Sequence, residues 1–142
     1  RGGLAQIPST SRLYESIMTV VDGYRGGVSQ ADCFAAIHTR WNEHDGHDWC
    51  HTISNAEIVA AALLYGKGDL GASICMAVET GFDTDCNGAT VGSILGIRNG
   101  AWSIDEKWTN PFKDLLDTSI FGVGRVKLSE MAKKTLGHIE KE

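Results

Sequence analysis

The chain has 142 residues, 13 basic and 18 acidic, for a formal charge of −5 with histidine neutral. Apolar residues make up 42%, and a chain of this length hides roughly 70% of the surface its unfolded form exposes, so one compact domain over residues 1–142 is the expectation. The only consecutive basic pair is Lys133-Lys134, which argues against a nucleic-acid partner; the longest apolar stretch, 58–65, is far short of the roughly 20 residues of a membrane span.

The chain opens on Arg1-Gly2-Gly3 with neither an initiator methionine nor an apolar leader, and it reads as a fragment without a signal peptide. Cys33, Cys50, Cys75 and Cys86 form no C-x-x-C pair; a reducing, cytoplasmic setting is expected rather than a disulfide framework, with Cys33 and Cys75 as small core hydrophobes. Apolar residues at 13, 17, 20, 21 and 24 recur with the helical period between Ser9-Thr10-Ser11 and Gly26-Gly27, predicting a first helix. Ser29 and Asp32 form a capping pattern before Phe34, Ile37 and Trp41, the face of a second helix. Residues 42–52 break the period as a polar loop. Ser54 and Glu57 then read as a capping box, followed by IVAAALLY without a polar face, which suits a helix in the middle of a bundle.

Gly66-Lys67-Gly68 ends that helix and Asp69 caps the next, which runs to Gly81. A further helix is predicted from within Asp83-Thr84-Asp85 to Asn99-Gly100. A capping box from Ser103 to Glu106, a helix start at Asn110-Pro111 and a last, basic helix opened by Ser129 complete the pass. No segment alternates as a strand does, so the fold class is all-α. Gly88, Gly92 and Gly96, spaced by four, form a stripe that another helix can approach closely.

The segment GFDTDCNGATVGSILG, residues 81–96, sets two carboxylates before that stripe. Two steps turn a helix by roughly 200°, so Asp83 and Asp85 converge only if Asp83 precedes the helix. Hard cations such as Mg²⁺ or Ca²⁺ take carboxylate and hydroxyl oxygens; the alternative is that one aspartate is simply an N-cap.

This segment resembles the second metal-binding motif of the ADP-ribosylglycohydrolase family. The stretch from His51 to Ala56, the turn from Leu64 to Asp69, Lys107-Trp108-Thr109 and Phe121-Gly122-Val123-Gly124 are similar to that family in kind and order, from about Ser9 onward. The resemblance implies an orthogonal all-α bundle holding two divalent ions, usually Mg²⁺ with Mn²⁺ as the substitute, that cleaves an ADP-ribosyl glycosidic bond in a modified protein or a small ADP-ribose conjugate. It implies Asp83 and Asp85 as metal ligands, Cys86 at a position where many members carry Thr or Ser, and His51, Asn55 and Phe121 on the substrate side. A thiol is a soft ligand ill suited to Mg²⁺, and Asn87 offers an amide oxygen in its place or simply opens the helix. The family's remaining ligands lie in its N-terminal half, so this chain reads as the C-terminal portion of a larger catalytic domain, with the acid or base for proton transfer elsewhere.

Two rival readings stand beside this one. A lens crystallin resembles the same family, so a non-catalytic protein on this fold is open. HDGHDWCH, residues 44–51, offers His44, His47, Cys50 and His51 as zinc-ligand types, although its spacing matches no familiar zinc module. Glu57 reads as a capping partner, Glu79 as part of a solvated face, and Phe121 as either a stacking ring or a loop anchor.

Overall fold

A computed structural model describes residues 2–139, and the chain divides into two compact units, residues 1–101 and residues 102–142. In the first unit, helix α1 spans Arg12–Arg25 and is capped by Ser11, whose hydroxyl oxygen accepts the Tyr14 N–H at 3.1 Å. Helix α2, Gln30–Arg40, begins with the expected Ser29/Asp32 pair: Ser29 Oγ accepts the Asp32 N–H and donates to the Asp32 carboxylate. Helices α3, Thr52–Tyr65, α4, Leu70–Glu79, and α5, Thr84–Asn99, follow. The apolar run is the reason for the arrangement, because α3 packs against α1, α2, α4 and α5 and has no polar face to give to water. Ile37, Ile58, Ala61, Ala62, Val91 and Leu95 form the centre of this core.

Two predicted features of the first unit are corrected. Helix α3 starts before Ser54: its N-cap is His51, and Ser54 lies inside the first turn, donating to the carbonyls of Asp48 and His51. Glu57 is therefore no capping partner. It is wholly buried and accepts hydrogen bonds from Arg40 Nη2 at 2.8 Å and Trp41 Nε1 at 3.2 Å, which ties the end of α2 to the middle of α3. A buried carboxylate is tolerated only with such charged and polar partners. Cys75 is exposed on α4, while Cys33 is buried as expected, because α4 turns only the Ser73–Ala77 side fully inward.

The glycine stripe does what its spacing suggests over half its length. A methyl group at Gly88 would lie 3.0 Å from Val78 and one at Gly92 would lie 3.4 Å from Ile74, whereas Gly96 faces open space. Helix α4 thus nests on the first two glycines and has diverged by the third.

In the second unit, the short helix α6, Glu106–Thr109, is capped by Asp105 rather than Ser103. Asn110 ends this helix instead of starting one, its N–H bonding the Glu106 carbonyl, and Pro111 falls in the turn that follows. Lys113 and Asp114 then adopt positive φ of 48° and 61°, sending the chain into an unpredicted antiparallel hairpin. Its strands, β1, Leu115–Asp117, and β2, Arg125–Lys127, pair with Leu116 opposite Val126. Strands of three residues are too short to display a period of two. Helix α7, Leu128–Ile139, follows directly.

Two aspartates hold this unit together. The Asp114 carboxylate accepts the side-chain O–H and the backbone N–H of Ser129, fastening the first turn of α7, and Asp117 forms a two-pronged pair with Arg125 at 2.7 and 2.9 Å. The Ser129 donors hold the Asp114 carboxyl below its usual range, and Arg125 does the same for Asp117. A depressed folded-state value means that the stabilisation is fully present above the ordinary aspartate value of about 3.9 and is lost as pH falls through the lower folded values. Acidification below about pH 4 should therefore lower the amide protection factors of the hairpin and the first turn of α7, and Asp117→Asn should blunt that loss when exchange is followed by NMR against pH and referred to the intrinsic rate at each pH.

Candidate functional site

The junction between α4 and α5 is built from residues with unusual backbones. Gly81 has φ of 85° and Phe82 has φ of 59°, a left-handed conformation that costs a bulky side chain about 1–2 kcal/mol. Three contacts hold it there. The Phe82 ring is buried and lies 4.9 Å from the His38 imidazole. The Phe82 N–H donates to Glu43 Oε2 at 3.3 Å, and His38 Nε2 donates to the Thr80 carbonyl at 2.9 Å. Any side chain at Gly81 would run into the Glu43 carboxylate.

This turn delivers Asp83 to the N-cap position of α5 with φ −83° and ψ 74°, yet its side chain makes no capping hydrogen bond. It turns toward the first helical residues instead, so that ligand atoms of Asp83, Asp85 and Cys86 all lie within 4.8 Å of one another. Asp83 Oδ2 accepts a hydrogen bond from Asn55 Nδ2 at 3.2 Å, and Asn55 Oδ1 accepts one from Asn87 Nδ2 at 3.2 Å. Asn87 is only 2% exposed. The relay Asn87, Asn55, Asp83 therefore joins the first turns of α3 and α5 and fixes the orientation of one carboxylate.

The electrostatics follow from this crowding. The Asp85 carboxyl is held below the usual range, first by a hydrogen bond with Asp83 and then by the backbone N–H groups of Cys86 and Asp85 at the helix start. The Cys86 thiol is pushed up, first by its hydrogen bond to Asp83 and by that residue's charge, so that it stays protonated at neutral pH.

Of the residues singled out in the sequence, Asn55, Asp83, Asp85 and Cys86 come together. His51 sits one turn ahead of Asn55 on α3, with the Asn55 N–H bonded to its carbonyl. Its Nδ1 accepts the Ile53 N–H at 3.1 Å, its ring stacks on Trp41 at 5.1 Å, and the His47 ring lies tilted to it at 4.9 Å. Nδ1 as acceptor puts the ring proton on Nε2. Phe121 belongs to the second unit, fully exposed between β1 and β2. Among the described residues, Asp83, Asp85 and Cys86 are the only group of three or more His, Cys, Asp or Glu side chains with converging ligand atoms, and the histidines of 44–51 form none. His47 pairs with Asp48, and His44 projects into solvent beside Glu43.

Beside the acidic cluster lies a cavity of about 640 Å³ to which Asn55, Cys86, Asn87 and Thr90 contribute polar or thiol groups. Its remaining wall is apolar, from helices including α1, α3 and α5. Glu43 and His38 escaped the sequence reading because neither belongs to a local motif; their partners are 39 and 42 residues away. Replacing Gly81 by Ala should cost about 1–2 kcal/mol for the left-handed backbone alone and more for the displaced Glu43 carboxylate, measurable as a lower midpoint in urea unfolding.

Comparison with curated proteins and with solved structures yields no match. The sequence model of one family, described as ADP-ribosylglycohydrolase, matches residues 2–142. Nearly the whole chain, with the DTD turn and its glycine-striped helix inside the matched span, thus answers to a single hydrolase family, and the protein belongs to the ADP-ribosylglycohydrolases.

Proposed function

We propose that this chain supplies one half of a Mg²⁺-dependent site that hydrolyses an ADP-ribosyl glycosidic bond, with Asp83 and Asp85 as cation ligands. The observation that carries the reading is the Asp83 side chain: it occupies a capping position without capping and lies against Asp85 instead. Two like charges this close repel unless a proton or a cation lies between them. The oxygen donors fit Mg²⁺, and the Cys86 thiol, soft and held protonated, does not. A divalent ion bound there would orient ribose hydroxyls and a water molecule and stabilise charge in the transition state.

The chain's own residues prepare that site. Asn55, itself oriented by Asn87, donates to Asp83 Oδ2 and so fixes the orientation of that carboxylate. A hydrogen bond with Asp83 and then the amides at the start of α5 favour the ionised form of Asp85. Asn55, in the first turn of α3, and His51, its N-cap, are proposed to face substrate. The acid or base that moves the proton in hydrolysis is proposed to come from the N-terminal half of the same fold. The apolar wall of the cavity beside the cluster is the kind of surface a further helical segment would cover. The substrate is then an ADP-ribosylated protein or a small ADP-ribose conjugate, and the ion is Mg²⁺, two in the complete site, with Mn²⁺ as substitute. Among the described residues no helix is long and apolar enough to cross a membrane, and the setting is proposed to be cytoplasmic.

Cys86 favours a second reading, a non-catalytic protein on the same fold, because it puts a poor Mg²⁺ ligand in the cluster. Calorimetric titration separates the two. Asp83→Asn and Asp85→Asn should each weaken Mg²⁺ binding by roughly tenfold to a hundredfold, a scale that loss of even an outer-shell partner reaches, while Cys86→Thr should strengthen it. Unchanged affinity in both aspartate variants removes the segment from any metal site. The isolated chain should not turn over an ADP-ribosylated substrate, and adding the N-terminal half should restore hydrolysis. Robust turnover by the chain alone would refute the half-site reading.

A further inference from the structure

We propose that Glu43 is a positioning residue for the Asp83/Asp85 pair, holding by one hydrogen bond the left-handed turn that makes the two carboxylates converge; this rests on the reading of that pair as cation ligands. On a continuous helix, residues two apart point roughly 200° away from each other. Their convergence here is the work of the residue before them, because Phe82, at φ 59°, places Asp83 outside the helix and aims it back across the first turn. A residue with a Cβ leaves this conformation unless its surroundings hold it.

The surroundings are few and can be named. Two nearby amides have backbone acceptors: Gly81 N–H bonds the Val78 carbonyl and Thr84 N–H bonds the Phe82 carbonyl. The Phe82 N–H is taken by a side chain, Glu43 Oε2, reaching over from the loop that follows α2. The glycine at 81 is what leaves room for that carboxylate. His38, from α2 itself, donates to the Thr80 carbonyl and packs its ring on Phe82. Two side chains from one stretch of chain therefore grip both ends of the turn. Glu43 is not part of the converging ligand set, so its role is exerted through Phe82 and not on a cation.

The test uses the whole chain with Mn²⁺ alone as the probe, titrated by electron paramagnetic resonance, together with amide exchange at Phe82 in metal-free protein. Glu43→Ala removes the acceptor and should weaken Mn²⁺ binding about tenfold and speed Phe82 exchange by a similar factor, the scale of one lost hydrogen bond to a charged group. Glu43→Gln keeps an oxygen acceptor on the same stem and should stay close to wild type in both readouts. Wild-type Mn²⁺ affinity in Glu43→Ala overturns the proposal, and so does a Glu43→Gln variant as impaired as Glu43→Ala, since Glu43 would then act by its charge. A wild-type chain that binds no Mn²⁺ overturns the metal reading instead, and the same Ala-against-Gln comparison of Phe82 exchange then decides whether Glu43 holds the turn.

Discussion

Everything distinctive about the site depends on one backbone constraint, the passage of the chain through two left-handed residues, Gly81 and Phe82, between α4 and α5. Helix α4 must stop there, and α5 must start at an angle that lets Gly88 and Gly92 receive Ile74 and Val78. The same turn leaves Asp83 outside the helix and free of capping. Packing and chemistry are thus fixed by one pair of dihedral angles, and the cost of a left-handed aromatic is offset by burying its ring in the core.

The polar groups around that turn form a network tying three helices to it. Asn87 and Asn55 connect α5 to α3 by way of Asp83, Glu43 and His38 connect the α2 region to the turn, and the Arg40, Trp41 and Glu57 cluster locks α2 onto α3 a short distance away. A buried carboxylate such as Glu57 contributes little net stability compared with a hydrophobic residue of similar size. Its effect is on register: α2 must end where Arg40 and Trp41 can both reach it, which in turn sets where Glu43 emerges. One oxygen of Glu57 has no hydrogen-bond partner among the described groups.

The chemistry of the cluster is asymmetric. Asp85 stands at the start of a helix, where backbone amides favour its ionised form, whereas Cys86 faces two carboxylates that oppose a thiolate. The site thus offers hard oxygen donors on one side and a neutral sulfur on the other. A hard cation placed among these groups would meet its donors on the aspartate side alone.

Local signals were legible in the sequence wherever the partner lies within one helical turn. Ser11, Ser29 and Asp69 cap the helices they precede, the 58–65 run occupies the centre of the bundle, and the DTD spacing allowed the two carboxylates to converge only if Asp83 stood before α5. Local reasoning also misled, because Ser54 and Glu57 have capping-box spacing whatever surrounds them; only the packed structure shows His51 taking the cap and Glu57 turning inward to Arg40. The helix start read at Asn110-Pro111 failed for a similar reason, since Asn110 ends a helix as readily as it begins one, and three-residue strands leave no periodic trace. Which residues grip the turn, and which amide orients Asp83, was decided by tertiary structure alone. Glu43, His38 and Asn55 lie 28 to 42 residues from their partners, and a hydrogen bond across that separation has no spacing rule, because it exists only once the helices between have packed.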